Sequence, residues 1–215
     1  MEFGDARTAE VAAEYEQRHR EELARMAALP GAEVLARRDE FLLPVGAEVA
    51  GLLHALVLAR KPKTILELGT SYGFSTLYLA DAARICGARV ISIDLAADKQ
   101  AYAKKMLARA GLAEQVDLRC GDALELVAAE PGPFDFVLLD IWKDLYVPGF
   151  EAVYPKLSEE ALIASDNMIE PEGARANARA LRAAINAKPD LQTTLLPVGQ
   201  GVELTVKWSA GNSKL

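Results

Sequence analysis

Two carboxylates, one amide and one amine are spaced so that they can do chemistry together. Asp140 ends the apolar run FDFVLLD (134–140), Asp166 ends ALIASD (161–166) with Asn167 directly after it, and Lys143 follows Asp140 by three positions. Two carboxylates and an amide oxygen form an all-oxygen donor set, which suits a hard divalent cation: Mg2+ first, with Ca2+ or Mn2+ as alternatives. Three such ligands leave about three of six octahedral positions for water and substrate oxygens, so two adjacent hydroxyls can chelate the ion. A lysine beside that ion and a second cation is pushed towards its neutral form. It can then take a proton from a metal-held hydroxyl. The plainer explanation is that Asp166 and Asn167 cap a helix, with Asp140 solvated and Lys143 on the surface.

A second group lies upstream. The segment Glu67-Leu68-Gly69-Thr70-Ser71-Tyr72-Gly73 carries a GxxxG spacing at a strand-to-helix turn. Glycines there let a ligand come close to the backbone and to helix N–H groups. The spacing is not the GxGxxG of dinucleotide sites, and Glu67 would repel a pyrophosphate. An acid beside such a loop suits a cationic, amino-acid-bearing nucleoside instead. Asp94, roughly twenty residues past the loop, is placed to hold a ribose hydroxyl pair. Asp122, after Gly121, is placed for an adenine amino group, with Ala123 packing the ring. Each signal is weak alone; together they favour S-adenosylmethionine over NAD.

These residues need a frame that brings strand ends together. Strands are expected at 64–69, 89–94, 115–120, 134–140 and 161–166, with helices between them at 74–84, 96–110, 122–129, 147–156 and 172–187. Strands that are apolar throughout and joined by helix-length connections give a parallel sheet covered on both faces. Ligands of such doubly wound α/β sheets bind outside the carboxyl ends of the strands, where four of these five deliver a carboxylate. The chain then changes character: LQTTLLPV (191–198), GQG (199–201) and VELTVKW (202–208) read as an antiparallel hairpin. A mostly parallel, seven-stranded Rossmann-like sheet ending in such a hairpin is the class I methyltransferase architecture. Ahead of it, residues 6–29 read as an amphipathic helix stopped by Pro30-Gly31, 37–40 as a charged connector, and Pro44 starts a second helix that ends before Lys61-Pro62.

The motifs resemble those of the cation-dependent O-methyltransferases, the group that contains catechol and caffeoyl-CoA O-methyltransferases, from about Phe41 to Trp208. ELGTSYGFST, DIWKDLY and the SDN of ALIASDN stand where that family has its cofactor loop, catalytic lysine segment and metal pair. The resemblance implies Asp140, Asp166 and Asn167 as metal ligands and Lys143 as general base. It implies contacts to the methyl donor from Val45, Glu67, Ser71, Ser75, Asp94, Ala123 and Trp142, with Glu67 near the methionine end. Gly69, Gly73, Gly121, Asp122 and Asp140 complete the expected donor site. Trp142 fits an adenine wall or the core equally well. Two departures bear on the substrate. Ile141 replaces a histidine that the catechol enzyme uses beside adenine. The late acid that grips a catechol hydroxyl has no match in TTLLPVGQG (193–201), Glu203 lying one hairpin arm later.

The implied reaction is methylation of one of two vicinal hydroxyls on an aromatic ring. Phe41, Leu43, Trp142 and Pro171 are candidate apolar walls, each equally a candidate for ordinary core. A phenolic small molecule is the expected partner. With 24 Lys+Arg against 31 Asp+Glu the net charge is −7, which gives no general attraction to nucleic acid or anionic membrane. Glu170 and Glu172 disfavour the phosphates of a CoA tail. Cys86 and Cys120 lie in apolar runs without CxxC spacing and read as buried thiols of a reducing compartment, the cytosol. His19 and His54 are too far apart in sequence to suggest zinc. The polar N-terminus has no signal-peptide layout, and the longest apolar stretch, 49–59, is too short to span a bilayer. One methyltransferase domain is expected over 1–215: a helical cap (1–43), a catalytic core (44–208) and a tail (209–215). The first helix fits a cover over the acceptor, a dimer contact or plain packing. The rivals are a nucleic-acid or protein methyltransferase, which the charge and the DIWK segment oppose, an NAD-dependent dehydrogenase, and a non-catalytic nucleoside-binding protein.

Overall fold

The computed structural model describes residues 3–208, so the expected tail lies outside the described residues. Seven strands form one sheet: β1 (Thr64–Leu68), β2 (Arg89–Asp94), β3 (Val116–Cys120), β4 (Phe134–Leu139), β5 (Leu157–Ser165), β6 (Leu191–Leu196) and β7 (Val202–Lys207). Their order is β3-β2-β1-β4-β5-β7-β6. The first five run parallel, while β7 pairs antiparallel with both β5 and β6. The strand order reverses between β1 and β4, which opens a crevice at their carboxyl ends.

Side chains alternate between the two faces, as strand geometry requires. Ile65 joins the core under α1 (Ala6–Ala27), α3 (Ala47–Arg60), α4 (Phe74–Cys86) and α5 (Ala97–Arg109). Leu66 and Leu68 join the core under α6 (Ala123–Ala129), α7 (Tyr146–Val153) and α8 (Arg175–Asn186). Phe134, Phe136, Phe150, Tyr15 and Tyr146 are fully buried across these two layers. Each burial of that kind contributes about 1.5–3 kcal/mol. No helix among the described residues is long and apolar enough to cross a membrane.

The expected elements are present with shifted ends. The Pro30-Gly31 breaker does end α1, but a short helix, α2 (Gly31–Ala36), restarts at once with Pro30 at its N-cap. Proline lacks only an N–H that the first turn leaves unpaired anyway. The 37–40 connector folds as a 3-10 turn over Arg38–Glu40. β5 begins at Leu157, four residues early: its register against β4 slips between Phe134 and Phe136, and Glu160 has φ 62°. The polar Ser158-Glu159-Glu160 in that irregular stretch hides the strand from a hydrophobicity pattern. The buried-thiol expectation fails for Cys120, which is exposed because β3 is the edge strand; Cys86 is half-buried.

Candidate active site

The crevice is built by close backbone approaches. Gly69 donates its N–H to the Ile93 carbonyl at 2.9 Å, and Asp140 donates to the Leu68 carbonyl at 2.9 Å. A Cβ on Gly69 would sit 2.0 Å from the Asp140 carbonyl oxygen, and one on Gly73 would sit 2.8 Å from Ala103 Cβ. Both residues have positive φ, 102° and 90°. The two glycines therefore answer to contacts within the chain, β1 against β4 and α4 against α5. These contacts alone require glycine at both positions, whatever ligand the loop receives.

The loop's acids are divided between protein donors. Asp94, half-buried at the end of β2, accepts the Ser71 N–H at 2.7 Å and the Ala96 N–H at 2.8 Å. Ser71 itself sits at φ 46°, an unusual conformation for a residue other than glycine. Gly121 donates its N–H to the Asp94 carbonyl at 3.0 Å, which puts the Gly121-Asp122 turn beside Asp94. Asp122 caps α6, accepting from Leu124 and Glu125 N–H at 2.9 and 3.0 Å, so capping does account for this acid. Ala123 packs half-buried against the second core. Glu67, expected at the methionine end of a donor, is fully buried beneath the loop. Ser75 Oγ donates to its Oε1 at 2.6 Å, and Thr76 Oγ1 and Ser92 Oγ donate to its Oε2. Burial pushes its carboxyl up to about 7, against the pull of these hydroxyls. Ser75 is thus committed to Glu67, and Val45 is buried in the first core. Neither Glu67 nor Val45 lines an open surface.

At the ends of β4 and β5 the second set does come together. Lys143 Nζ donates to Asn167 Oδ1 at 2.6 Å and to Asp140 Oδ1 at 3.3 Å. Asp166 is 2% exposed, and its Oδ1 has no hydrogen-bond partner. Burial, with the Asp140 charge as the next cause, pushes the Asp166 carboxyl up to about 7. Tyr146 Oη donates to the Asp166 carbonyl at 2.5 Å and fixes the strand end. Asn167 adopts φ 56°, a conformation asparagine tolerates better than most residues. Among the described residues no three His, Cys, Asp or Glu side chains gather as for a metal. The set here is two carboxylates and one amide. A buried carboxylate oxygen without a partner, beside a second carboxylate and an amide oxygen, fits a hard divalent cation.

The walls sort cleanly. Phe41 is 1% exposed and belongs to the core, whereas Leu43, Trp142 and Pro171 are exposed. Trp142 is therefore not core: its ring carries Arg38 Cζ at 4.2 Å from the centroid. Ile141 packs partly buried against the second core. Nothing in the charged 37–40 connector marks Arg38 for this contact, and nothing in the GQG turn marks Gln200, which accepts from Asn167 Nδ2. No sequence signal joins 167 to 200; only the β5–β7 register does. Glu203 does not supply the missing catechol-gripping acid. It is fully buried on the α8 side of the sheet, accepting from Thr193 Oγ1 at 2.7 Å with Arg182 Nε at 3.3 Å. It lines a cavity of about 230 Å³ with Met168, Leu195 and the α8 arginines.

Comparison with known proteins bears on the same residues. A family model described as O-methyltransferase matches residues 19–208. A catechol O-methyltransferase from Niastella koreensis is 33% identical over 157 residues, covering 67% of this chain and 71% of the relative. A caffeoyl-CoA O-methyltransferase from Eucalyptus globulus is 25% identical over 192 residues, covering 80% and 78%. Among solved structures, an O-methyltransferase from Streptomyces achromogenes involved in tomaymycin synthesis, in complex with S-adenosylmethionine, superposes with a TM-score of 0.75. It is 26% identical, over 93% of this chain and 90% of that one.

Proposed function

This chain belongs to the O-methyltransferase family, and on that premise we propose that it transfers the methyl group of S-adenosylmethionine to one of two vicinal hydroxyls of a catechol-like small molecule, with a divalent cation bound. The observation that carries the acceptor class is Lys143 Nζ held against Asn167 and Asp140, beside the unpartnered Asp166 oxygen. Asp140, Asp166 and Asn167 would hold the cation, Mg2+ first. When bound, the ion supplies the positive charge that makes a coordinated hydroxyl acidic. Lys143 Nζ stands within hydrogen-bond reach of two of those residues, and in its unprotonated form it would receive the hydroxyl proton there. Asp94 keeps lone pairs free beyond its two backbone bonds and would take the ribose hydroxyls, with Ser71 and the Gly121-Asp122-Ala123 turn around the nucleoside. Leu43, Trp142 and Pro171 offer apolar surface to a flat ring. The chain's contribution to rate is then chiefly orientation of the two reactants.

A second reading has support from one contact. Arg175 pairs with Glu170 at 2.8 Å and with Glu172 at 3.5 Å, so the two acids do not present a bare negative mouth. A CoA-linked hydroxycinnamate or a natural-product phenol therefore stays in competition with a simple catechol. The test is incubation with methyl-labelled donor and a panel of catechols, monophenols and CoA esters, with and without EDTA. The expected outcome is transfer that needs vicinal hydroxyls, is lost in EDTA and returns with Mg2+. Undiminished transfer after full metal removal would overturn the cation's part.

A further inference from the structure

The helix α1 packs on the donor-side loop and grips it from above. Tyr15, in the middle of α1, is fully buried, and its hydroxyl donates to the Tyr72 carbonyl at 2.5 Å. Its ring lies edge-on to Phe74 and Tyr102, with centroids at 5.9 and 6.1 Å. One turn on, Arg18 Cζ lies 4.1 Å from the centroid of the Tyr72 ring and 5.0 Å from that of Tyr102. Arg18 Nε donates to Glu22 Oε1 at 2.7 Å, and Glu22 Oε2 accepts the Leu42 N–H at 2.6 Å. The helix thus touches the loop Thr70–Gly73 and the segment leading to α3 at once.

That loop needs holding. Ser71 stands at φ 46°, and a non-glycine residue there persists only where its surroundings over-determine it. The Ser71 N–H rests on Asp94 and the Gly73 N–H on the Thr70 carbonyl at 2.8 Å, while Thr70 is tied to Ile93, Ser92 and Gln100 and the Tyr72 hydroxyl to the Asp39 carbonyl. The Tyr72 carbonyl, between them, has the α1 tyrosine as its donor. Tyr15 and Arg18 also precede the residues 19–208 that the family model matches.

We propose that Tyr15 and Arg18 are positioning residues for the methyl donor: α1 holds the Thr70–Gly73 loop in the shape that receives it. The inference rests on the donor assignment made above, and its test separates the two. Tyr15→Phe keeps the buried ring and removes only the hydroxyl; Arg18→Met keeps the aliphatic stem. Tyr154→Phe is the control, since its hydroxyl donates to Asp190 Oδ1 at 2.6 Å far from the loop. S-adenosylhomocysteine affinity, steady-state constants and amide exchange at residues 71–73 are measured for each. Tyr15→Phe should bind S-adenosylhomocysteine about fivefold more weakly, the net worth of one hydrogen bond. The donor KM should rise in step, kcat should stay within about twofold, and the 71–73 amides should exchange faster. Arg18→Met should move the same readouts in the same direction. Tyr154→Phe should lose comparable stability with donor affinity unchanged. Wild-type affinity and exchange in Tyr15→Phe would overturn the proposal. If the wild type does not bind S-adenosylhomocysteine, the donor assignment falls. The exchange rates then decide the grip alone, and unchanged rates overturn it.

Discussion

Glu67→Gln tests whether the buried acid under the loop is held against its own charge. Glu67 is fully buried, and its carboxyl is pushed from the usual 4.5 up to about 7. The folded pKa is raised, so the folded state favours the protonated form. The stability this contributes is complete below pH 4.5 and is lost as pH rises towards and through 7. A shift of this size corresponds to about 3 kcal/mol over the whole window, most of it lost between pH 5 and 7. Glutamine keeps the volume, and the three hydroxyls around it can rotate to donate to Oε1 or accept from Nε2. The assay is urea unfolding of both proteins from pH 4.5 to 8.5, read as the difference between the two curves. Asp166 titrates in the same range, but it is present in both proteins and cancels. The glutamine variant should gain on the wild type by about 3 kcal/mol as pH rises from 4.5 to 8. Parallel curves would refute the reasoning, because they would mean that Glu67 ionises in the fold as easily as in the unfolded chain.

Further outcomes follow from the same geometry. Lys143→Met should lower kcat by about 10²–10⁴-fold, the usual worth of a general base, with S-adenosylhomocysteine affinity unchanged; undiminished turnover would remove Lys143 from the proton's path. Mg2+ should raise the thermal midpoint of the wild type in proportion to the logarithm of its concentration, and Asp166→Asn should abolish that rise in a dye-based melt. Gly69→Ala places a methyl group 2.0 Å from the Asp140 carbonyl oxygen at φ 102°; it should destabilise by more than about 4 kcal/mol or fail to fold, and a loss under about 1 kcal/mol in urea would contradict the close approach. Asp122→Ala should lose about 1 kcal/mol from the α6 cap, measured the same way.

The central parallel strands β1, β2 and β4 are legible because they are largely buried and mostly apolar, so a terminal Asp140 stands out against Leu139. Where a strand is irregular or at the edge that contrast fades, which is why the start of β5 and the exposure of Cys120 were missed. Glu67 shows a different limit. Its place at the loop is plain, but its direction follows from alternation: Leu66 and Leu68 face α6–α8, so Glu67 must face α4. Ser75 and Thr76, at the start of α4, are the hydroxyls that meet it there. The contacts of α1 with Tyr72 and Leu42 span 57 and 20 residues, and no local pattern announces them.

The five acids first read as ligand-seeking therefore do not form one class. Glu67 is answered by three hydroxyls, Asp94 by two backbone N–H groups and Asp122 by the first turn of α6. An acid so provided needs no ligand to be stable, although Asp94 can accept one more donor. Asp140 and Asp166 are different: Lys143 donates to Asp140 and to Asn167 but not to Asp166, which keeps a buried oxygen without a donor. When both carboxylates are ionised, one lysine leaves negative charge over. A divalent cation would meet it; without one, Asp166 is pushed towards its protonated form. Asp140 and Asp166 thus favour a cation by themselves, whatever the other three acids bind.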